Sequence, residues 1–191
     1  MKVTKTQVRE NRARIVETAS TLFRERGYDG IGIADLMAAA GFTHGGFYKH
    51  FQSKADLMAE AATSGFSQSA ANITGVDEAA FVKGYLSRKH RDSLGNGCTL
   101  AALSGDAARQ PEPIKKAFAA GIEDQLAMLE REDGAMSEAA KRKARAKRID
   151  TLAHVVGALV LSRACPDDSS LADEILEVCR TRMLSQDGRK G

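Results

Sequence analysis

The chain has 191 residues, 43% apolar and 28% charged, with a formal net charge of +3 and a pI near 8.8. That length and apolar content support one or two domains with a real core. No uncharged apolar run approaches the roughly 20 residues a bilayer-spanning helix needs. Residues 155–161 are too short for that, and the basic N-terminus lacks the apolar stretch of a signal peptide, so a cytoplasmic location and no membrane partner are expected. Cys98, Cys165 and Cys179 offer neither a paired framework nor metal-ligand spacing. The four histidines are scattered, with no recognisable nucleophile–base motif and no glycine-rich loop after a strand. Neither an enzyme, a metal nor a cofactor is expected.

Taken in chain order, the first predicted helix covers residues 12–26. Ile15, Ala19, Leu22 and Phe23 recur at three- and four-residue spacing, Arg12, Arg14, Glu17, Arg24, Glu25 and Arg26 lie elsewhere around the wheel, and Gly27 ends the run. A second, compact helix over 35–40 stops at Gly41, since glycine takes the left-handed conformation cheaply. Thr43 then suits the N-cap of a helix over 44–51, whose exposed N–H groups form a seat for phosphate. Phe47 and Phe51, four apart, should face inward, with His44, Gly45, Tyr48 and Lys49 facing outward. Gly45 and Gly46 each cost about 1 kcal/mol of helix propensity relative to alanine, and the gain is close approach of the backbone to a groove. Ser53 caps the next helix with Asp56 at its third position, and Lys54 in the first turn suits a phosphate better than the local dipole. A short helix, a turn and a basic, aromatic-anchored helix are how a helix-turn-helix presents itself to double-stranded DNA. Charge agrees, because residues 1–54 hold nine Lys or Arg against five Asp or Glu, a net of +4 that leaves about −1 for the rest.

The remainder reads as helix throughout. A long helix runs from Ser53 to about Ile73, and another over 77–92 has Phe81, Tyr85 and Leu86 on one stripe. Residues 92–97 form a loop, followed by a helix over 98–109 stopped by Pro111 and Pro113, then one over 112–132 carrying Ile114, Phe118, Ile122, Leu126 and Leu129 and closed by Asp133-Gly134. Two last helices cover 149–164 and 171–184. The run Lys141-Arg142-Lys143-Ala144-Arg145-Ala146-Lys147-Arg148 reads as a solvated helix face offset by Glu130, Glu132, Asp133 and Glu138, in preference to a second nucleic-acid patch. Cys98, after Gly97 at a helix start, reads either as a thiol sensor with His90 and Arg91 nearby or as a small buried residue.

Arg14-Ile15-Val16-Glu17-Thr18-Ala19, Leu22-Phe23, Gly27-Tyr28, Asp35-Leu36, Ala39-Ala40-Gly41 and Phe47-Tyr48-Lys49-His50-Phe51 with Ser53-Lys54 resemble the N-terminal domain of the TetR family of bacterial transcriptional repressors. The resemblance covers about residues 9–69. The stretch Asn96-Gly97-Cys98-Thr99-Leu100-Ala101-Ala102-Leu103 with Ala107-Ala108-Arg109 resembles the regulatory domain of one branch. This chain departs from the family where Ile31 and Gly32 precede the second helix in place of a hydroxyl residue, so Gly32 must serve as a poorer cap, and Ala34 removes one possible backbone contact.

The resemblance implies an all-α protein of about nine helices. A three-helix DNA-binding head over 9–69, with its helix-turn-helix at about 32–51, is joined to a larger helical ligand-sensing and dimerisation body over 70–191. It implies DNA contacts from Thr43, His44, Gly45, Gly46, Tyr48, Lys49, His50 and Lys54. A homodimer on a palindromic operator is expected, formed through Leu152, Val156, Gly157, Val160, Leu171, Ile175, Val178, Cys179 and Met183, where small residues permit close helix crossing. A small-molecule inducer of unknown identity is expected among the apolar stripes, with Phe66, Phe81, Tyr85, Cys98, Phe118, Ile122 and His154 as candidate lining or sensor residues. The competing functional reading is an architectural or activating DNA-binding protein without an inducer.

Overall fold

The helix start and stop signals are realised as local hydrogen bonds. In a computed structural model that describes residues 4–73, 76–129 and 137–187, nine α-helices and one 3-10 helix are present, and no strand occurs among the described residues. They are α1 (Lys5–Arg26), α2 (Ile33–Ala39), the 3-10 helix His44–Lys49, α3 (Lys54–Ile73), α4 (Glu78–Tyr85), α5 (Arg88–Asp92), α6 (Thr99–Ala107), α7 (Glu112–Met128), α8 (Glu138–Arg163) and α9 (Ser170–Asp187). The all-α expectation holds. No helix among the described residues is long and apolar enough to cross a membrane.

Two compact units are formed, one from residues 1–69 with 95–121 and the other from 70–94 with 122–191. The first therefore holds α1 to α3, α6 and the start of α7. In it, α1 starts at Lys5, well before the expected residue 12, because the Thr4 hydroxyl accepts the Gln7 amide at 3.1 Å. Its core is Ile15, Ala19 and Phe23 of α1 with Tyr28, Leu36, Met37, Phe47, Phe51 and Leu57, all essentially without exposure. The α2 helix has only Gly32 as its N-cap, with no side-chain capping bond, as the sequence implied. It ends in a Schellman arrangement: the Gly41 amide donates to the Ala38 carbonyl, the Phe42 amide to that of Met37, and Gly41 takes φ +82°. Farther on, Phe66 stands edge-on to Phe118, and its ring fills the place a side chain at residue 121 would occupy, 2.3 Å from an ideal Cβ of Gly121.

Arg24 corrects its expected place on the polar side of α1. It is buried, its Nε donating to the Gly95 carbonyl at 2.7 Å and its Nη1 to the Ser20 hydroxyl at 2.6 Å. Gly65 permits this arrangement, since a Cβ there would lie 2.6 Å from Arg24 Nη1 and 2.5 Å from Thr99 Oγ1.

In the second unit the helix expected over 77–92 is broken. Leu86 leaves helical geometry (ψ 52°) and Ser87 caps α5 by accepting the His90 amide at 3.2 Å, so α4 and α5 are separate. The break lets α5 bring a buried Arg91 to the end of α8, where its guanidinium donates to the carbonyls of Ser162 (3.3 Å) and Cys165 (3.3 Å). Arg163 returns the bond, donating to the carbonyls of Arg91 and His90 at 2.9 Å each. These cations add charge-assisted hydrogen bonds to carbonyls at the ends of α5 and α8. The basic run at 141–148 lies in the first half of α8 and is partly neutralised by Glu138, Glu123 and Glu78, at 2.9, 2.7 and 2.9 Å from Lys141, Arg145 and Lys147. Of the expected neutralising acids, Glu130, Glu132 and Asp133 lie outside the described residues, as does the Asp133-Gly134 stop; the described part of α7 ends at Met128.

Two stability predictions follow from these contacts. Gly27 has φ +74° and an ideal Cβ there would lie 2.7 Å from Asp106 Oδ2, whereas Gly41 is open on its Cβ side. Gly41→Ala should cost about 1–2 kcal/mol of backbone strain and Gly27→Ala more, in urea unfolding; equal losses would refute the clash. His90, with Nδ1 2.8 Å from the Tyr85 carbonyl and its ring 4.6 Å from that of Tyr85, is pushed below the ordinary value of 6.5 by burial, with Arg163 adding to the effect and the bond to the Tyr85 carbonyl opposing it. The unfolded chain then binds more protons than the folded one just below that value, so the stabilisation is complete above 6.5 and is lost as pH falls through the folded pKa. His90→Gln should flatten the decline in unfolding free energy measured from pH 6.5 to about 5.

Candidate nucleic-acid interface

The exposed surface of the 44–49 helix is held from beneath by two aromatic rings. Phe47 and Phe51 are buried and stacked with centroids 5.5 Å apart, as their spacing indicated. The helix between Thr43 and His50 is nevertheless a 3-10 turn and not the expected α-helix over 44–51. The Gly46 amide donates to the Thr43 carbonyl and the His50 amide to that of Phe47, both three residues back. Six residues containing two glycines have too little propensity to sustain the wider α spiral. The tighter winding leaves His44, Gly45, Tyr48 and Lys49 exposed, and Tyr48 is 66% accessible with its ring edge-on to Phe47 at 5.2 Å.

Thr43 occupies the N-cap in extended conformation, but its hydroxyl makes no capping bond, so the N–H groups at the helix start keep their donors for another acceptor. At Gly45 nothing lies within 4 Å of an ideal Cβ, and at Gly46 only ordinary contacts with Thr43 and Met37 do. Neither glycine is demanded by packing.

The far end of the helix is fixed by a residue that the sequence reading left on the outside of α1. The Arg12 guanidinium donates to the His50 carbonyl and to Glu60 of α3, and lies 4.2 Å from the centroid of the Phe51 ring. Arg14, two residues after Arg12 and exposed, covers Phe42 at 4.8 Å. His50 is less available than expected. It is half-buried between Phe42 and Phe51, and burial first, then the charges of Arg12 and Lys49, hold its imidazole below the ordinary value and towards the neutral form. Lys54 is a correction. Its ammonium, expected on a phosphate, donates to the Tyr28 carbonyl and sits 6.0 Å from the Phe23 ring, because α3 starts against the end of α1. Ser53 caps α3 as expected, accepting the Asp56 amide at 3.1 Å, while Asp56 reaches back to the Gln52 amide at 3.2 Å.

A family model described as bacterial regulatory proteins, tetR family, matches residues 15–61. Residues 15–61 therefore match the DNA-binding part of that family. The transcriptional regulator TtgR of Pseudomonas putida is 42% identical over 55 residues, which is 29% of this chain but only 26% of that relative, so the aligned part spans about a quarter of the curated protein. Over nearly the whole chain the likeness is one of fold. A TetR transcriptional regulator from Chloroflexus aurantiacus superposes with TM-score 0.71 at 22% identity, covering 94% of this chain and 95% of that one. AibR, solved with isovaleryl coenzyme A and operator DNA, gives TM-score 0.56 at 16% identity, covering 89% and 96%.

The residues expected to sense a ligand are divided between the two units. Phe66, Cys98 and Phe118 belong to the first unit, and Phe81, Tyr85, Ile122 and His154 to the second. Phe66 and Phe118 pack on each other, as do Phe81 and Tyr85, with centroids 5.4 Å apart. Ile122 and His154 are exposed, which corrects their expected place on apolar inward stripes. Cys98 is buried at the N-cap of α6. Arg24 interacts electrostatically with Cys98, while His90 and Arg91 are engaged at Tyr85 and at the end of α8. Among the proposed dimer residues, Leu152 is buried inside its own protomer, since it faces inward on α8. Val160, Leu171 and Val178 are exposed, and Val156, Gly157, Ile175, Cys179 and Met183 are half-buried.

Arg12 was invisible as a site-positioning residue because helical periodicity reports which side of α1 it occupies, not that a carbonyl and a carboxylate arrive there from residues 50 and 60. Arg12→Met should keep the helical fold yet lower unfolding stability by about 1–2 kcal/mol through loss of charge-assisted bonds, read by chemical denaturation. Parent-like stability would show that these contacts do not hold the 44–49 helix.

Proposed function

We propose that the chain is a ligand-responsive transcriptional repressor that binds a palindromic DNA operator as a homodimer. The observation that carries the reading is the 44–49 helix, anchored by buried Phe47 and Phe51 and presenting Thr43, His44, Gly45, Tyr48 and Lys49 outward. In this reading His44 and Lys49 address base edges in the major groove, Tyr48 and the uncapped N–H groups at Thr43 address phosphates, and Gly45 and Gly46 allow close approach. Residues 9–69 are the DNA-binding part and 70–191 the sensing and dimerising part.

Dimerisation is supported by apolar side chains left on the surface of α8 and α9, among them Val160, Leu161, Leu171 and Val178. A second copy covering them would present paired reading helices to half-sites about one helical turn apart, roughly 34–36 Å. Release would follow from a small molecule, or from modification of Cys98, that favours a non-binding arrangement; a differential affinity of about 1–3 kcal/mol is sufficient for a useful switch.

The test is selection of bound sequences from random duplex DNA at two salt concentrations. A palindrome that survives the higher salt is expected, and binding without sequence enrichment would favour an architectural role. With that operator, Lys49→Ala should weaken binding and reduce the magnitude of the salt slope by about one. Lys141→Ala, whose ammonium is paired with Glu138, should change neither. Equal effects of the two substitutions would remove the assignment of the 44–49 helix.

A further inference from the structure

Between α1 and α2 the chain makes its turn under the control of a side chain from a distant part of the sequence. Asp106, in the last turn of α6, accepts the Tyr28 amide on Oδ2 at 3.0 Å, while its Oδ1 takes a bond from Arg109 at 2.9 Å. Gly27 makes room for this carboxylate, since its φ of +74° turns the chain and a side chain there would meet Oδ2. On the other side of the same residue, the Tyr28 carbonyl accepts Lys54 of α3. The Tyr28 ring is fully buried edge-on to Phe23, with centroids 5.1 Å apart. Tyr28 is therefore gripped by its amide, its carbonyl and its ring, and the segment that follows leads through buried Ile31 into α2 and the 44–49 helix.

We propose that Asp106 is a positioning residue for DNA binding: by holding the Tyr28 amide it sets the direction in which α2 and the 44–49 helix leave α1. This rests on the reading of the 44–49 helix as the DNA-contacting element. Asp106 itself touches no DNA, and its effect passes through one hydrogen bond to the backbone. The loop that leads into α6 is tied to α1, where Arg24 donates to the Gly95 carbonyl, so α6 and the 44–49 helix belong to one compact unit.

The experiment combines residue-resolved amide exchange at Tyr28 with operator affinity for the full chain and for Asp106→Ala, Asp106→Asn and Arg109→Ala. Asp106→Ala should accelerate Tyr28 exchange and weaken operator binding roughly tenfold, with non-specific binding unchanged. Asp106→Asn, which keeps an acceptor in place, should restore both, and Arg109→Ala should alter neither. If Asp106→Ala does not fold, Asp106→Glu displaces the acceptor by one methylene and should show the same selective loss of operator affinity. Parent-like Tyr28 protection or parent-like operator affinity in the altered variant overturns the proposal. Failure of Asp106→Asn to rescue also overturns it, because a hydrogen-bond acceptor would then not be what matters. Absence of specific DNA binding by the parent chain would instead sink the functional reading together with this inference.

Discussion

The turn at Gly27 and Tyr28 is the constraint on which the first compact unit depends. A left-handed glycine ends α1, and the next residue has its amide, carbonyl and ring all engaged, by Asp106, Lys54 and Phe23. Buried backbone polar groups must be paired, and each partner here comes from a different helix, so satisfying one residue brings α1, α3 and α6 together. The reading helix is then fixed at its far end by Arg12, which satisfies the His50 carbonyl while lying on the Phe51 ring. A short 3-10 helix with two glycines has little stability of its own, and its geometry is supplied by what surrounds it.

Arginine has a second role in this protein, as a cap for helix ends and loop carbonyls. Arg24 and Arg91 are both buried; Arg24 donates to the Gly95 carbonyl and the Ser20 hydroxyl, and Arg91 to carbonyls at the end of α8 and to the Asp92 carboxylate at 2.8 Å. The planar guanidinium has several donors in fixed directions, so one side chain can satisfy several acceptors that lysine could not reach together. Burial opposes the charge, and at Arg24 it is the dominant influence on protonation. Hydrogen bonds to neutral oxygens offset that cost at Arg24, and at Arg91 the exposed Asp92 carboxylate adds to them.

In the proposed reading, DNA recognition and stability are served by different residues of the same short segment. Phe47 and Phe51 bury apolar area, whereas the exposed Tyr48 and Lys49 and the two glycines contribute little to the free fold. Glycines for which the fold would accommodate a side chain are at odds with helix propensity, and such local conflicts are characteristic of functional surfaces.

Much of the architecture was legible because it is written in local chemistry. The stops at Gly27 and Gly41, the Ser53 cap, the poor cap at Gly32 and the inward pair Phe47 and Phe51 all depend on residues within a few positions of one another, and the ordered motif from residue 14 to 54 carried the family resemblance. What the sequence could not reveal were contacts whose partners lie tens of residues away. Arg12 and Arg24 read as surface charges, and Arg91 as a neighbour of Cys98, because periodicity assigns a side to a helix but not the neighbour that covers it. Lys54 read as a phosphate ligand because the Tyr28 carbonyl is 26 residues upstream. Ile122 and His154 were read as inward because apolar neighbours define a stripe, whereas tertiary packing decides which edge of the stripe is covered. By itself the sequence determined the all-α class and the caps and stops that depend on near neighbours. Only the tertiary structure decided which polar side chains were taken out of water, because that depends on where the unpaired backbone groups of other helices arrive.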